Sequence, residues 1–400
     1  MKILQFCHKP PLPATDGGCL AMHTLTSGLI EMGHNLRVLT LYTDKHPFHA
    51  EKMHPDYVRK TRIEGVYVDT RVNLIDAFSS FMTSDSYNVS RFFSPDVDRK
   101  LTEVLSEETF DAILLESLFV TPYINTIRRL SRGKIIFRSH NLEYFIWSRL
   151  AGSTSNIARK TYLSYLAGKL KEHEIKILNE VDAIVAISAE DTQRYKRLGV
   201  KQPLLTLPFG VNPDNYPVEP TPPKPTRLFH LGSMDWSPNV EGIVWFLQDI
   251  WPGIHAKHPQ LQLHLAGRQM PDYLLEVNNQ PGVTVMGEVE DATAFMKKGD
   301  IMVVPLLSAG GIRVKIIEGM ALGKAIISTS IGAEGIPYTR NQDLVIASNA
   351  RQFSEGIDFL LDADNYAMIC ANARQLIKRE FDNRTLVALL VDLIEKQVAK

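Results

Sequence analysis

Residues 300–329 read DIMVVPLLSAGGIRVKIIEGMALGKAIIST, and the order of features in this stretch decides the fold. A buried strand is expected at 301–305, then a loop with two glycines and two cations, then a short helix carrying a carboxylate, then a second strand at 325–329. Apolar runs without strict alternation, separated by a helix, are how strands covered on both faces of a parallel sheet read. Gly310 and Gly311 permit a tight turn and a close approach of backbone to ligand. The helix that follows aims its free N–H groups into the loop. Arg313 and Lys315 add positive charge, so the loop suits an anion, above all a diphosphate. Glu318, one turn further on, has the wrong sign for phosphate and suits a diol such as a ribose. Arg313 and Lys315 would point about 200° apart on a regular helix. Both serve one ligand only if the helix starts near Val314 and Arg313 belongs to the loop.

Outward from this stretch the same alternation recurs. Apolar runs fall at 2–6, 36–42, 66–68, 112–115, 135–138, 183–187 and 204–207, with helical patterns between them, notably 20–31, 122–132 and 156–179. The segment PFGVNPDNYPVEPTPPKPT at 208–226 cannot sustain a helix or a central strand and reads as a hinge. Strand runs then restart at 228–231, 261–266, 283–286, 301–304, 325–328 and 344–346. The expected architecture is α/β, two doubly wound Rossmann-like domains facing each other across a cleft. Their bounds are 1–207, a Pro-rich hinge at 208–226, 227–380, and a terminal helix at 381–400 that could pack on either domain.

The chain has 400 residues, too many for one ordinary core. Lys and Arg total 44 against 45 for Asp and Glu, so no global field recruits nucleic acid. Three cysteines, widely spaced, form neither a metal cluster nor a disulfide framework, which favours a reducing, cytoplasmic setting. No run approaches the roughly 18 apolar residues of a membrane span. A membrane-surface helix over 149–176 is one reading, with a peripheral position at the inner face of a membrane. Glu172, His173 and Glu174 dilute its charge and favour a solvated face.

In open α/β sheets ligands bind beyond the carboxyl ends of the strands, and the polar residues worth attention lie there. Gly17 and Gly18 open the first long helix, where an amide can meet a substrate oxygen or phosphate; a plain turn explains them equally well. His140 ends an apolar strand and can hold a sugar hydroxyl or carry a proton, while Glu143 can orient it or an acceptor. Alternatively, His140 and Asn141 cap the next helix. Gly232 and Ser233 offer an amide and a hydroxyl to a phosphate. Trp236 reads as scaffold, and so does Asn239 as a cap. The fingerprint GxGxxG is absent, which argues against a nicotinamide or flavin enzyme.

Taken together, these residues resemble the family-4-like, group 1 nucleotide-sugar glycosyltransferases of GT-B fold. The carrying positions are Gly17–Gly18, His140, 186–188, 208–211, Gly232, 287–289 and the run from Pro305 through Glu318-Gly319-Met320-Ala321-Leu322-Gly323-Lys324, which is similar to the family signature P-x-x-x-E-G-F-G-L-x-x-L-E-A-M-A-x-G-x-P. The resemblance implies transfer of a sugar from a nucleotide-diphosphate donor to an acceptor hydroxyl with retention of configuration. It implies no cofactor and no metal, and a role in cell-surface glycan assembly. The acceptor is a glycan, a lipid-linked group or a small molecule. By the same resemblance, Glu318 matches the glutamate that holds the donor ribose, and Gly311, Ile312, Arg313 and Val314 match the diphosphate-binding turn. His140 matches a histidine near the transferred sugar; Val289 and Asp291 match positions beside the base. Two departures stand out. The first glutamate of the family pair falls on Gly310, and the arginine and lysine expected after the second domain's first strand are missing from GSMDWSPNVEG. Arg313 and Lys315 are expected to resupply that charge, as in a branch of the family reading GGIRVKIIE. The alternatives are a catalytically silent GT-B-like binding subunit and a sugar-nucleotide epimerase.

Overall fold

A computed structural model describes residues 1–14, 16–71, 87–154, 156–217, 225–276, 280–308 and 311–399. The chain divides into two compact units: unit 1 is Met1–Gly210 with Asn383–Lys400, and unit 2 is Val211–Asp382.

Among the described residues of unit 1, seven strands are β1 (Lys2–Cys7), β2 (Asn35–Tyr42), β3 (Glu64–Tyr67), β4 (Ala112–Glu116), β5 (Lys134–Ser139), β6 (Ala183–Ala186) and β7 (Leu204–Thr206). They form one parallel sheet in the order β3-β2-β1-β4-β5-β6-β7. The register sets Ile3 beside both Leu36 and Ala112, and Phe6 beside Leu39 and Leu115. Strands β1 and β4 are buried almost throughout, as both-face coverage requires. One face packs Leu4, Phe6, Ile113, Leu115 and Phe137. The other packs Ile3, Leu114, Ile136 and Val185 against Leu25 and Leu29 of α1 (Gly17–Glu31).

The helical pattern at 122–132 resolves into a 3-10 segment, Leu118–Tyr123, and a helix, Ile124–Leu130, with Pro122 at the join. The loop after β5 leads into α2 (Glu143–Ser153) and the longer α3 (Ile157–Glu180).

Unit 2 repeats the plan with β8 (Arg227–Leu231), β9 (Gln262–Ala266), β10 (Val283–Gly287), β11 (Ile301–Val304), β12 (Ala325–Ser328) and β13 (Val345–Ile346). The order is β10-β9-β8-β11-β12-β13, again parallel. In each sheet the chain reverses direction of winding beside the first strand, at β1/β4 and at β8/β11. Such switch points open a crevice at the carboxyl ends of the strands. At the second one, ladder pairing stops at Phe229 and Met302. Just past that point the buried His230 turns its Nδ1 to the carbonyl of Val303 at 2.9 Å.

Helix α4 (Val314–Ala321) follows β11, and α5 (Ala363–Glu380) packs beside it. The terminal helix α6 (Asn383–Val398) belongs to unit 1. Its buried residues Leu386, Val387, Leu390, Val391 and Ile394 form an apolar stripe that closes the α1 face of the sheet. Among the described residues, no helix is long and apolar enough to cross a membrane.

Candidate functional site

In unit 2 the strand β11 ends at Val304, and the chain reaches α4 through residues 305–313. Gly310 lies outside the described residues. Gly311 has φ +77, a left-handed conformation that a side chain would strain. Ile312 and Arg313 complete the turn, and Arg313 occupies the N-cap position with extended backbone, so α4 begins at Val314. The first amides of α4 therefore face the turn without a capping side chain, since Arg313 makes no cap bond.

The two cations part company here. The Arg313 guanidinium lies over the Trp236 ring, 5.6 Å from its centroid. Lys315 pairs with Glu318 at 2.8 Å, one turn along the same helix. Glu318 is almost wholly buried, and its other oxygen accepts a hydrogen bond of 3.1 Å from the Tyr216 hydroxyl. Burial, reinforced by the Glu318 charge, pushes the Tyr216 hydroxyl pKa well up, so it stays a donor. Arg374 of α5 fixes the segment before Tyr216 by donating to the carbonyls of Pro213 (3.0 Å) and Tyr216 (2.7 Å), and also to that of Ala321. Tyr216 and Arg374 were not selected from the sequence. Tyr216 lies in a Pro-rich segment 102 residues before Glu318 and Arg374 on a separate, later helix, so no local spacing links either to Glu318.

Trp236 is the N-cap residue of the helix Ser237–Trp245 and, through Arg313, ties the loop after β8 to the turn before α4. Asn239 does not cap; its side-chain amide donates to the Ser233 carbonyl at 2.8 Å. Gly232 leads out of β8 at a place where backbone crowds backbone: a Cβ on the facing Gly267 would stand 1.8 Å from the Gly232 carbonyl oxygen. The Ser233 hydroxyl donates to Asp235 and accepts from Arg268 at 3.4 Å. Arg268, exposed after β9, is a cation beside Gly232–Ser233 that the sequence reading passed over. Val289 is half-buried in the loop after β10, and Asp291 caps the helix Ala292–Lys298 by accepting from the Ala294 amide at 2.9 Å.

In unit 1, Gly17 and Gly18 begin α1, and Asp16 caps it by accepting from the Cys19 amide at 2.9 Å. Lys9 pairs with Asp16 at 2.6 Å. Against burial, Lys9 holds the Asp16 carboxyl far below the usual range.

His140 lies just past β5 and sends Nε2 to Glu116 at 2.7 Å. Glu116, the last residue of β4, is fully buried, yet its other partners satisfy it completely: Arg138 at 2.9 Å and Gln5 at 2.8 Å. Burial alone would raise its pKa; Arg138 and His140 hold it at about 2. Burial lowers the pKa of His140, with Glu116 opposing and Arg138 and Lys9 assisting. Glu143 stands at the first position of α2. Neither His140 nor Asn141 caps that helix; the buried Glu174 of α3 does so, accepting from the amides of Glu143 (3.0 Å) and Tyr144 (3.1 Å). Burial pushes Glu143 up to about 7 and Glu174 up to about 8. Glu116 escaped the sequence reading, although a carboxylate closing an apolar strand run beside His140's own strand was the available signal.

Residues 225–363 match the family described as Glycosyl transferases group 1, and residues 17–215 match Glycosyltransferase Family 4. A protein of Klebsiella pneumoniae described as an uncharacterized 44.6 kDa protein in the cps region is 22% identical over 96% of this chain and 97% of its own. Phosphatidyl-myo-inositol mannosyltransferase of Mycolicibacterium smegmatis is 21% identical over 60% of this chain and 59% of its own. Among solved structures, HepE of Anabaena in complex with UDP superposes with a TM-score of 0.70 at 14% identity, covering 99% of this chain and 100% of that one. Two parallel sheets of one winding, the turn at Gly311 and these matches lead to a single assignment: the chain belongs to the group 1, family-4-like glycosyltransferases, with the GT-B fold.

Proposed function

We propose that this glycosyltransferase takes a sugar from a nucleotide-diphosphate donor and delivers it to an acceptor hydroxyl with retention of configuration. It does so without a required metal, in assembly of a cell-surface polysaccharide. The observation that carries the reading is the arrangement of Glu318: a buried carboxylate one turn into α4, the helix that follows the left-handed Gly311, steadied from both sides by Lys315 and Tyr216. Each carboxylate oxygen has acceptor capacity left after one such bond, which suits the adjacent hydroxyls of a ribose. The free amides at the start of α4 and the Arg313 guanidinium suit the diphosphate. The UDP complex of HepE and the cps-region relative support donor class and setting respectively.

The chemistry follows from charge development. As the glycosidic bond breaks, the departing diphosphate gains negative charge and the sugar becomes oxocarbenium-like. Helix-end amides and Arg313 stabilise the first. A leaving phosphate oxygen accepts the proton of the incoming hydroxyl on the same face, which preserves configuration. His140, neutral at pH 7, holds a sugar hydroxyl rather than an anion, and Gly17, Gly18 and Glu143 line the acceptor side. Donor-side contacts are assigned to Gly232, Ser233, Val289 and Asp291.

The test is a thermal-shift panel of UDP, GDP, ADP and their hexoses, followed by NMR of the product anomer and the same assay in EDTA. A shift with one nucleotide series, a retained anomer and EDTA-insensitive turnover are expected. An inverted product or loss of turnover in EDTA would remove the mechanism, and no nucleotide response would remove the donor class.

A further inference from the structure

The switch point of unit 1 holds a cluster around His140 whose other members, His8 and Glu116, the family resemblance does not use. Glu116 grips two imidazoles by different atoms. Its carboxylate receives Nε2 of His140 at 2.7 Å, and its backbone carbonyl receives Nδ1 of His8, just past β1, at 3.0 Å. The two rings meet edge to face with centroids 5.4 Å apart.

The tautomers follow from the partners. A carbonyl only accepts, so Nδ1 of His8 carries its proton. An ionised carboxylate only accepts, so Nε2 of His140 carries its proton. In the neutral rings that leaves a lone pair on Nε2 of His8 and another on Nδ1 of His140. Neither of these two nitrogens has a hydrogen-bond partner among the described residues. Burial favours that neutral state, assisted by Lys9 beside His8 and by Arg138 together with Lys9 near His140, while the Glu116 charge opposes it in both rings. Glu116 is itself locked, with Gln5 donating to one oxygen and Arg138 to the other, and Gln5 is held in turn by Thr26 at 2.7 Å. A buried, fully bonded chain of this kind fixes orientation.

We infer that Glu116 is a positioning residue that sets both histidines in the tautomers leaving acceptor nitrogens open, and that His8 joins His140 as a substrate-binding residue for neighbouring hydroxyls of a sugar. Two lone-pair nitrogens accept O–H donors and repel phosphate oxygens, so the pair selects an uncharged, hydroxyl-bearing group. This deepens the reading of His140 given above and rests on it for the identity of the ligand. The clamp itself rests on geometry alone.

The experiment uses the full chain labelled with 15N-histidine, with His8→Gln and His140→Gln assigning the two signals. Long-range 1H–15N spectra at pH 7.5 should show His8 protonated on Nδ1 and His140 on Nε2; the opposite tautomer in either ring overturns the clamp. In Glu116→Gln, the amide oxygen stays on Arg138 and still accepts from His140, so Nε2–H should persist; in Glu116→Leu no acceptor remains and the two tautomers should mix. An unmixed Nε2–H ring in Glu116→Leu of normal melting temperature would likewise overturn it. UDP-glucose and UDP are then added separately, followed by UDP-glucose with a mixed sugar acceptor panel. A change at the open nitrogens with UDP-glucose but not UDP assigns the donor sugar, and a change only with acceptor sugars assigns the acceptor. No change under either, in protein that still binds UDP by thermal shift, retires the hydroxyl-binding role while leaving the donor reading intact. Turnover should fall about tenfold to hundredfold in both Glu116→Gln and His8→Gln, as for loss of a buried hydrogen bond. In Glu116→Gln the acid limb of the pH profile should move to lower pH, because the carboxylate that raises the His140 pKa is gone. An unmoved limb would count against the positioning role.

Discussion

Arg313→Ala separates the chemistry proposed for the α4 turn from its packing. The substitution removes a guanidinium at the N-cap position, where the backbone has φ −87 and ψ 95 and the side chain makes no capping bond. Alanine adopts that conformation without strain, so α4 should start where it does now. The contact over Trp236, a ring left 38% exposed, contributes on the order of 0.5–1 kcal/mol to stability. A guanidinium bonded to the departing diphosphate contributes more, about 1.5–3 kcal/mol for a charge-assisted hydrogen bond. Taking about 2 kcal/mol, kcat/KM should fall roughly 30-fold. Because the charge grows as the bond breaks, kcat should fall with it while KM changes less. Arg313→Lys keeps the charge without the planar fork and should recover part of the loss. The assay is initial-rate release of nucleoside diphosphate from the donor found by thermal shift, with chemical denaturation alongside. Unchanged turnover in Arg313→Ala, with stability reduced by no more than about 1 kcal/mol, would refute the reasoning.

Glu318→Gln should weaken nucleoside diphosphate affinity at least about tenfold while affinity for the same base as a 2′,3′-dideoxy diphosphate stays close to that of the parent; isothermal titration measures both. Tyr216→Phe removes one of the two bonds orienting Glu318 and should cost affinity less than Glu318→Gln does, by the same titration. The raised pKa values of Glu143 (about 7) and Glu174 (about 8) make the protonated acids the favoured form in the fold. Their contribution is therefore fully present below the ordinary glutamate value and is lost as pH rises through 7 and 8. The melting temperature of Glu174→Gln relative to the parent should rise between pH 5 and pH 8.5, and parallel curves would contradict that sign. Leu390→Ala opens a cavity where α6 seals the sheet of unit 1, and urea unfolding should show a loss of about 2–5 kcal/mol.

What the sequence made legible follows from how far each physical cause reaches along the chain. Both-face burial is written locally, so the apolar runs at 2–6, 112–115 and 301–304 mark strands that the sheets contain, to within a residue or two at their ends. Doubly wound order follows from parallel pairing and handed crossovers, which need no long-range information. That a helix begins soon after the glycine turn was legible for the same reason, because the turn and the helix it launches are neighbours. Partnerships set by folding were not. The terminal helix shows an apolar stripe but not the sheet face that receives it. The capping of α2 by Glu174 joins residues thirty apart, where the sequence offers the nearer Asn141. Glu116 is the instructive case: AILLE reads as a buried strand, and a buried strand ending in a carboxylate conflicts with its own burial unless other strands supply the cations and donors. Gln5 on β1 and Arg138 on β5 do so, from the two strands that flank β4. The conflict was visible at a single position, and its resolution required the strand order. A polar residue closing an apolar run next to a switch point is therefore best read as a request for partners on the adjoining strands. Those partners are where candidate site residues should be sought.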